Sequence, residues 1–185
     1  MKASKIIEAL KNNQIVAIPT DTVYGLFALP TIENAHKINT IKKSPKDKKL
    51  SIMASEFSKY ENILEIGEFE KNIISENLPG AKTFIVPLKD NLSTSKKFFW
   101  SDSIGIRVPD FFNKNTFFLK EVLDAFEFLF ATSVNISGEK SLTNAKEIKE
   151  VFGNSILIVK EKETLPGKAS TIISLLNDEI KVIRK

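Results

Sequence analysis

The stretch Gln14–Leu29, QIVAIPTDTVYGLFAL, decides how the rest of the chain is read. Ile15-Val16-Ala17-Ile18 is a short apolar run rich in β-branched residues, closed by Pro19. Such a run is expected to be a buried strand. Thr20, Asp21 and Thr22 follow at once, then Tyr24 and Gly25, before the chain turns apolar again from Leu26. Small polar side chains at the end of a buried strand have two readings. They can cap backbone groups in a tight strand-to-strand connection. They can also meet a ligand, because hydroxyls donate and accept, and Gly25 lets backbone approach closely.

Outward from this stretch, the periodicity predicts alternating helices and strands. Ser4 is placed as the N-cap of a first helix with Ile6, Ile7 and Leu10 on one face, and Thr31 as the cap of a second, from Ile32 to Lys42. A lysine-rich loop follows, with five lysines among the eight residues Lys42 to Lys49, and then a strand from Leu50 to Ala54. Glu56 to Asn77 reads as mostly helical with a break near Gly67. Thr83–Leu88 and Ser103–Val108 read as strands, and Phe98-Phe99-Trp100 as an apolar anchor for the polar loop between them. Thr116 to Phe128 is expected to be a helix, and Leu129 to Val134 a strand ending in Asn135-Ile136-Ser137-Gly138. Thr143 or Asn144 caps a helix ended by Gly153, a strand spans Ile156 to Val159, and a hairpin turns at Asn177-Asp178. No internal repeat and no low-complexity linker divides this order. The expected architecture is one α/β domain over residues 1–185, an open, twisted, mixed sheet flanked by helices.

Composition narrows the chemistry. The chain has 185 residues and no cysteine, which removes disulfides, thiol nucleophiles and cysteine metal sites. The single histidine, His36, lies among polar neighbours in the second helix and reads as a surface residue, so no metal site is expected. No apolar run approaches the ~20 residues that span a bilayer, and the N-terminal segment is amphipathic, so the expectation is a cytoplasmic protein with no membrane partner. Net charge is +4, compatible with nucleic acid or nucleotides. Only two of the 27 basic residues are arginine, Arg107 and Arg184, each at the end of a strand-like apolar run. A guanidinium offers a planar fork that fits carboxylate or phosphate, which lysine cannot imitate.

There is no Walker A loop, no G-x-G-x-x-G and no G-x-S-x-G. What recurs instead is strand ends bearing hydroxyls, Asn and Arg: Thr20/Thr22, Ser103/Arg107, Ser133/Asn135, Ser170/Thr171 and Arg184. That set suits positioning and charge neutralisation between two bound anionic substrates, without a covalent protein intermediate.

The segments PTDTVYGL, SIGIRVPD, TSVNISG and KASTII, in this order and spacing, resemble the YrdC/TsaC family of threonylcarbamoyl-AMP synthases across about Gln14 to Arg184. The length resembles the family's single-domain members. The resemblance implies a twisted α/β sheet lining a large basic cavity. It implies a nucleotidyltransferase that joins L-threonine, bicarbonate and ATP into threonylcarbamoyl-AMP and pyrophosphate. The product serves N6-threonylcarbamoyladenosine (t6A) formation on tRNA, completed by partner proteins; Mg²⁺ is expected with the ATP. Carried over by position, Thr22, Arg107, Ser133 and Ser170 resemble the L-threonine contacts. Lys42, Lys48, Ser103, Asn135, Thr143 and Arg184 resemble the ATP contacts. The chain departs from the pattern at Ser44, where the family usually has arginine, at Met53, where many members have histidine, and at TSVN in place of TSAN. A second reading keeps the basic concavity but makes it an RNA-binding module without ATP turnover; a third is a carbamoyl-transfer domain like those in hydrogenase maturation.

Overall fold

Val16 to Ile18 are apolar with no polar gap, and the sheet buries them on both faces. β1 (Val16–Pro19) and β2 (Tyr24–Ala28) are buried at every residue and pair antiparallel, Val16 with Phe27 and Pro19 with Tyr24. The computed structural model describes residues 2–90, 92, 102–177 and 179–185. Among them the further strands are β3 (Ser51–Met53), β4 (Lys82–Pro87), β5 (Ser103–Arg107), β6 (Leu129–Ser133), β7 (Leu157–Ile158), β8 (Thr171–Leu176) and β9 (Glu179–Arg184). They form one open sheet in the order β7-β1-β2-β6-β3-β5-β4-β8-β9. The pairs β1–β7, β3–β5 and β4–β8 are parallel and the other neighbours antiparallel, so the sheet is mixed as expected.

Helices cover the two faces unequally. α1 (Ala3–Lys11) and α4 (Lys114–Asp124) pack through Ile6, Leu10, Leu119 and Val122 onto Val16, Ile18, Phe27, Met53, Leu129 and Ala131. α2 (Ile32–Ile41), α3 (Glu68–Ser75) and α5 (Ala145–Phe152) pack the other face through Ala35, Ile38, Ile74, Ile148 and Phe152. They meet the alternate strand residues Ala17, Leu26, Ile52, Phe84, Ile106 and Phe130, as a side-chain period of two requires. The α1/α4 core draws nothing from β4, β5 or β8. On that face those strands, with the start of β3, carry the small residues Ser51, Thr83, Ser103, Gly105 and Ser174 together with Ile85 and Ile172.

Several boundaries differ from the sequence reading. Ser4 lies inside the first turn of α1, whose N-cap is Lys2 without a side-chain bond. The long helix expected from Glu56 to Asn77 is a single 3-10 turn, Phe57–Tyr60, and the short α3, because Leu64 bridges to Leu88 and draws the intervening chain to the sheet edge. α4 runs from Lys114 to Asp124 rather than from Thr116 to Phe128, and Asn113 caps it, accepting from Thr116 N–H at 3.0 Å. Asn144, not Thr143, caps α5, accepting from Glu147 N–H at 2.9 Å. The cap at Thr31 and the β8–β9 hairpin are as read, with Asn177 in the left-handed region that such turns favour. The cluster Phe98-Phe99-Trp100 and most of the polar loop before it lie outside the described residues. No helix among the described residues is long and apolar enough to cross a membrane.

Gly105 is closely packed on the small-residue face of β5. A Cβ added there would collide with Ser51 Oγ and lie 3.4 Å from Thr83 Cγ2. Gly105→Ala should therefore cost about 1–3 kcal/mol, roughly 2–12 °C in Tm for a chain of this size. Ser51→Ala should return part of that loss in a double-mutant cycle followed by thermal unfolding; additive effects would mean the two side chains do not compete for the same space.

Candidate functional site

The turn Thr20-Asp21-Thr22 ends β1 and folds on itself through side chains. Thr20 Oγ1 donates to the Val23 carbonyl at 2.7 Å and accepts the Thr22 N–H at 3.1 Å. Thr20 is therefore a backbone cap. The Thr22 hydroxyl lies 3.0 Å from that of Thr20 and also accepts from Arg107 Nη1 at 3.0 Å.

Arg107 ends β5 and is almost wholly buried, at 6% exposure. A charge taken this far out of water needs a partner. Asp21 supplies it: Arg107 Nη2 donates to Asp21 Oδ1 at 2.5 Å, and Asp21 Oδ2 accepts the Asp110 N–H at 3.1 Å. Burial raises the Asp21 carboxyl above its ordinary range, against the Arg107 charge that lowers it; burial likewise lowers the guanidinium, and Asp21 opposes that shift. Arg107 Nε reaches the Gly80 carbonyl at 3.4 Å. Three of the five N–H donors of a guanidinium are thus engaged and two are left. The sequence reading offered Asp21 as a backbone cap or a ligand contact and did not pair it with Arg107. The signal for the pair was available: a strand-end arginine in an apolar run requires a buried acid, and Asp21 is the acid in the other strand-end motif.

Thr22, Arg107, Ser133 and Ser170, the expected L-threonine contacts, all line one pocket of about 120 Å³, with Arg184 beside them. Met53 and Ile172 give it an apolar wall, and Ser51, Thr83 and Gly25 also line it. It is small, not the large cavity expected. Ser170 and Thr83 share a hydroxyl–hydroxyl bond of 2.9 Å. Arg184 donates from Nη2 to the Ser170 carbonyl at 2.7 Å, which fixes its guanidinium at the pocket edge. The two arginines are near enough that the charge of Arg184 contributes to lowering Arg107.

The other expected ATP contacts surround this pocket without lining it. Lys42 is buried at the end of α2, and its ammonium donates to the carbonyls of Ser133 and Asn135 and, at 2.8 Å, to Asn135 Oδ1. Burial, and secondarily the charge of Lys48, lower its pKa from 10.5 to about 8. Ser133 donates to the same Asn135 Oδ1 at 2.7 Å, so this group adjoins the pocket through Ser133. Lys48 is exposed and donates to Ser137 Oγ at 3.0 Å. Ser103 shares a face of β5 with Gly105 and Arg107 and sits about 13 Å from Arg107 along the strand. Thr143 lies beside Gly167, whose N–H donates to the Thr22 carbonyl at 3.0 Å, so it reaches the site through that loop.

Asn39 was missed by the sequence reading. It is fully buried and donates from Nδ2 to the carbonyls of Lys46 and Lys48 at 3.0 and 2.9 Å, which shapes the basic loop. Lys43 takes a left-handed φ of 52° there. Ser44, where the family pattern has arginine, turns inward: its Oγ is buried and has no partner among the described residues. A larger groove, about 1190 Å³, lies between α2 and α5 on the opposite face of the sheet. No arginine and none of the expected substrate contacts line it.

The Sua5_yciO_yrdC family model, described as "Telomere recombination", matches residues 8–185. A Methanocaldococcus jannaschii relative is 34% identical over 189 aligned residues, covering 98% of this chain and 86% of that one. The threonylcarbamoyl-AMP synthase of Wigglesworthia glossinidia brevipalpis is 30% identical over 190 aligned residues, covering 98% of this chain and 92% of the other. Among solved structures, P. abyssi Sua5 complexed with L-threonine matches with a TM-score of 0.84 at 26% identity, covering 98% of this chain and 53% of that one. The chain thus spans about half the length of that protein. The family match takes in all the strands and every residue of the site described above, and the chain belongs to the Sua5/YciO/YrdC family.

Proposed function

We propose that the chain is a threonylcarbamoyl-AMP synthase, a nucleotidyltransferase that consumes L-threonine, bicarbonate and ATP and releases pyrophosphate. The observation that carries this reading is the convergence of both arginines with Thr22, Ser133 and Ser170 on one small pocket, in a chain with relatives of that name. The pocket is well below the ~300–1,000 Å³ of sites that bury drug-sized ligands, which favours an amino acid inside it. The two uncommitted N–H groups of Arg107 would take the threonine carboxylate, and Thr22, Ser133 and Ser170 would hold its amine and hydroxyl. Met53 and Ile172 offer the methyl group an apolar wall. ATP would lie over the small-residue floor beyond the pocket, between Arg184 and the Lys42/Lys48/Asn135 cluster, with Ser103 and Thr143 at its margins.

Two bonds change hands. The threonine amine adds to bicarbonate with loss of water, giving a carbamate. A carbamate oxygen then attacks the α-phosphorus of ATP, and the bond from that phosphorus to the departing pyrophosphate breaks. Both reactants are anions, so the fixed cations act by holding them together and by neutralising charge that moves onto pyrophosphate. Among the described residues no three His, Asp or Glu side chains converge, and Asp21 is spent on Arg107. Mg²⁺ would be held through the phosphates of ATP themselves. The product is an activated carbamoyl donor for t6A formation on tRNA by partner proteins.

The direct test is pyrophosphate release from ATP with and without L-threonine and bicarbonate, with serine as control. Release that needs both and prefers threonine is expected; release indifferent to threonine, or none from folded protein, would overturn the reading. Arg107→Lys keeps the charge and loses the fork. It should raise the threonine KM at least tenfold while the ATP KM moves less than threefold; equal effects on both would refute the carboxylate assignment.

Lys42 gives a pH prediction. Its charge is lost as pH rises through about 8, whereas phosphate groups, with a second pKa near ~6, are already ionised. ATP affinity measured by calorimetry without threonine should therefore fall between about pH 7 and 9. Lys48→Ala should move the midpoint of that fall upward, since the Lys48 charge is one of the two causes of the shift. For stability the sign is opposite. The native state releases this proton before the unfolded chain does, so this group adds stability as pH rises from about 8 toward 10.5.

A further inference from the structure

The groove between α2 and α5 has no part in the reaction proposed above. Its floor is apolar, made by Ile15, Ile41, Ile156 and Ile158. Its rim is basic: Lys37 from α2, Lys146 and Lys149 from α5, and Lys160 after β7. All four lysines are exposed. The lining contains one acid, Glu33, paired with Lys37 at 2.7 Å across one helical turn. Both partners of that pair are exposed, so it contributes little to stability and yields readily to a better partner.

These features select among occupants. A single-stranded nucleic acid binds on aromatic platforms, and the lining has no Phe, Tyr or Trp. A nucleic-acid backbone or a simple polyanion has no use for an isoleucine floor. A membrane surface is flat or convex to the protein, and this feature is concave. An apolar floor rimmed by Lys37 on the α2 side, by Lys146 and Lys149 on the α5 side and by Lys160 after β7 is complementary to a helix with an apolar stripe and carboxylates on both flanks, the helix-in-groove mode of recognition. The size agrees: α2 has 10 residues and α5 has 8, about 15 and 12 Å at 1.5 Å per residue, enough to hold two to three turns of a partner helix.

We infer that the α2–α5 groove is a docking surface for an acidic amphipathic helix of a partner protein. It lies on the sheet face opposite the arginine pocket, so docking and substrate binding can occur together. The inference rests on the groove alone and would survive failure of the synthase reading.

The test uses the full chain and a fluorescent peptide of about 16 residues, ~24 Å when helical. It carries Leu at i, i+3, i+4 and i+7 and Glu on the flanks. Anisotropy should show saturable binding that weakens with salt, and amide NMR shifts should fall on α2, α5 and β7. Lys146→Glu with Lys149→Glu should weaken binding at least tenfold and leave pyrophosphate release from ATP unchanged; Lys37→Glu on α2, combined with Lys160→Glu after β7, should act alike. A peptide of the same charge with its leucines scrambled should bind at least tenfold more weakly. The inference is overturned by no binding, by equal binding of the scrambled peptide, by shifts elsewhere, or by charge reversals that leave peptide binding intact. Loss of tRNA binding in the reversed variants, with the peptide unaffected, would make this a nucleic-acid face instead and would equally overturn it.

Discussion

Arg107 is a permanent cation held almost entirely out of water, and the surrounding chain is arranged to keep it there. Its guanidinium ties together segments that are remote in sequence: the β1–β2 turn through Asp21 and Thr22, the turn at Gly80, and, through Asp21, the backbone at Asp110. Its own carbonyl accepts the Tyr60 hydroxyl at 2.7 Å. Removing one partner of such a buried pair costs about 3–5 kcal/mol because the other charge is left without compensation. The pair therefore adds little stability compared with an apolar replacement. It fixes where one planar cation points, which is what a site that works by positioning needs.

Around this fixed point the sheet supplies space. Strands that are buried on both faces near β1 become, at β3, β5, β4 and β8, strands with large apolar residues on one face and, on the other, Ser, Thr and Gly interspersed with Met53, Ile85 and Ile172. The large residues close a core with α2, α3 and α5. The small ones leave room beside the pocket, where backbone and hydroxyl groups can meet a substrate. Gly105 is forced by this arrangement, since even a methyl group there would run into Ser51.

The cations differ in how they are held, and that difference sorts their roles. Arg107 is locked by an acid, Arg184 rests on a carbonyl, and Lys42 is buried against three oxygens with no acid beside it. Only the last has its charge in play near neutral pH, because burial, unopposed by a carboxylate, brings a lysine down to about 8, whereas a guanidinium starts far higher. The lysines of the α2–α5 groove are exposed and lie on the opposite face, where they meet a different kind of partner.

Much of this was legible in the linear chain. The apolar run at Ile15–Ile18, the arginines at strand ends and the recurring strand-end hydroxyls follow from local pattern and composition, and these led to the mixed α/β sheet and to most of the pocket. Period-two alternation in SIGIR would also have disclosed the small-residue face of β5. Other features depend on which strands become neighbours. Asp21 and Arg107 are 86 residues apart, and only the order β1-β2-β6-β3-β5 brings them together. The inward turn of Ser44 depends on Asn39 gathering the loop behind it. The segment from Glu56 to Asn77 has helical spacing, yet its middle gives way to a bridge at the sheet edge. Sequence determined which residues could be buried and which charges would need partners, since those follow from side-chain chemistry alone. Tertiary structure decided which partner each charge received and which face of the sheet each helix covered, because both depend on contacts between segments that sequence spacing does not encode.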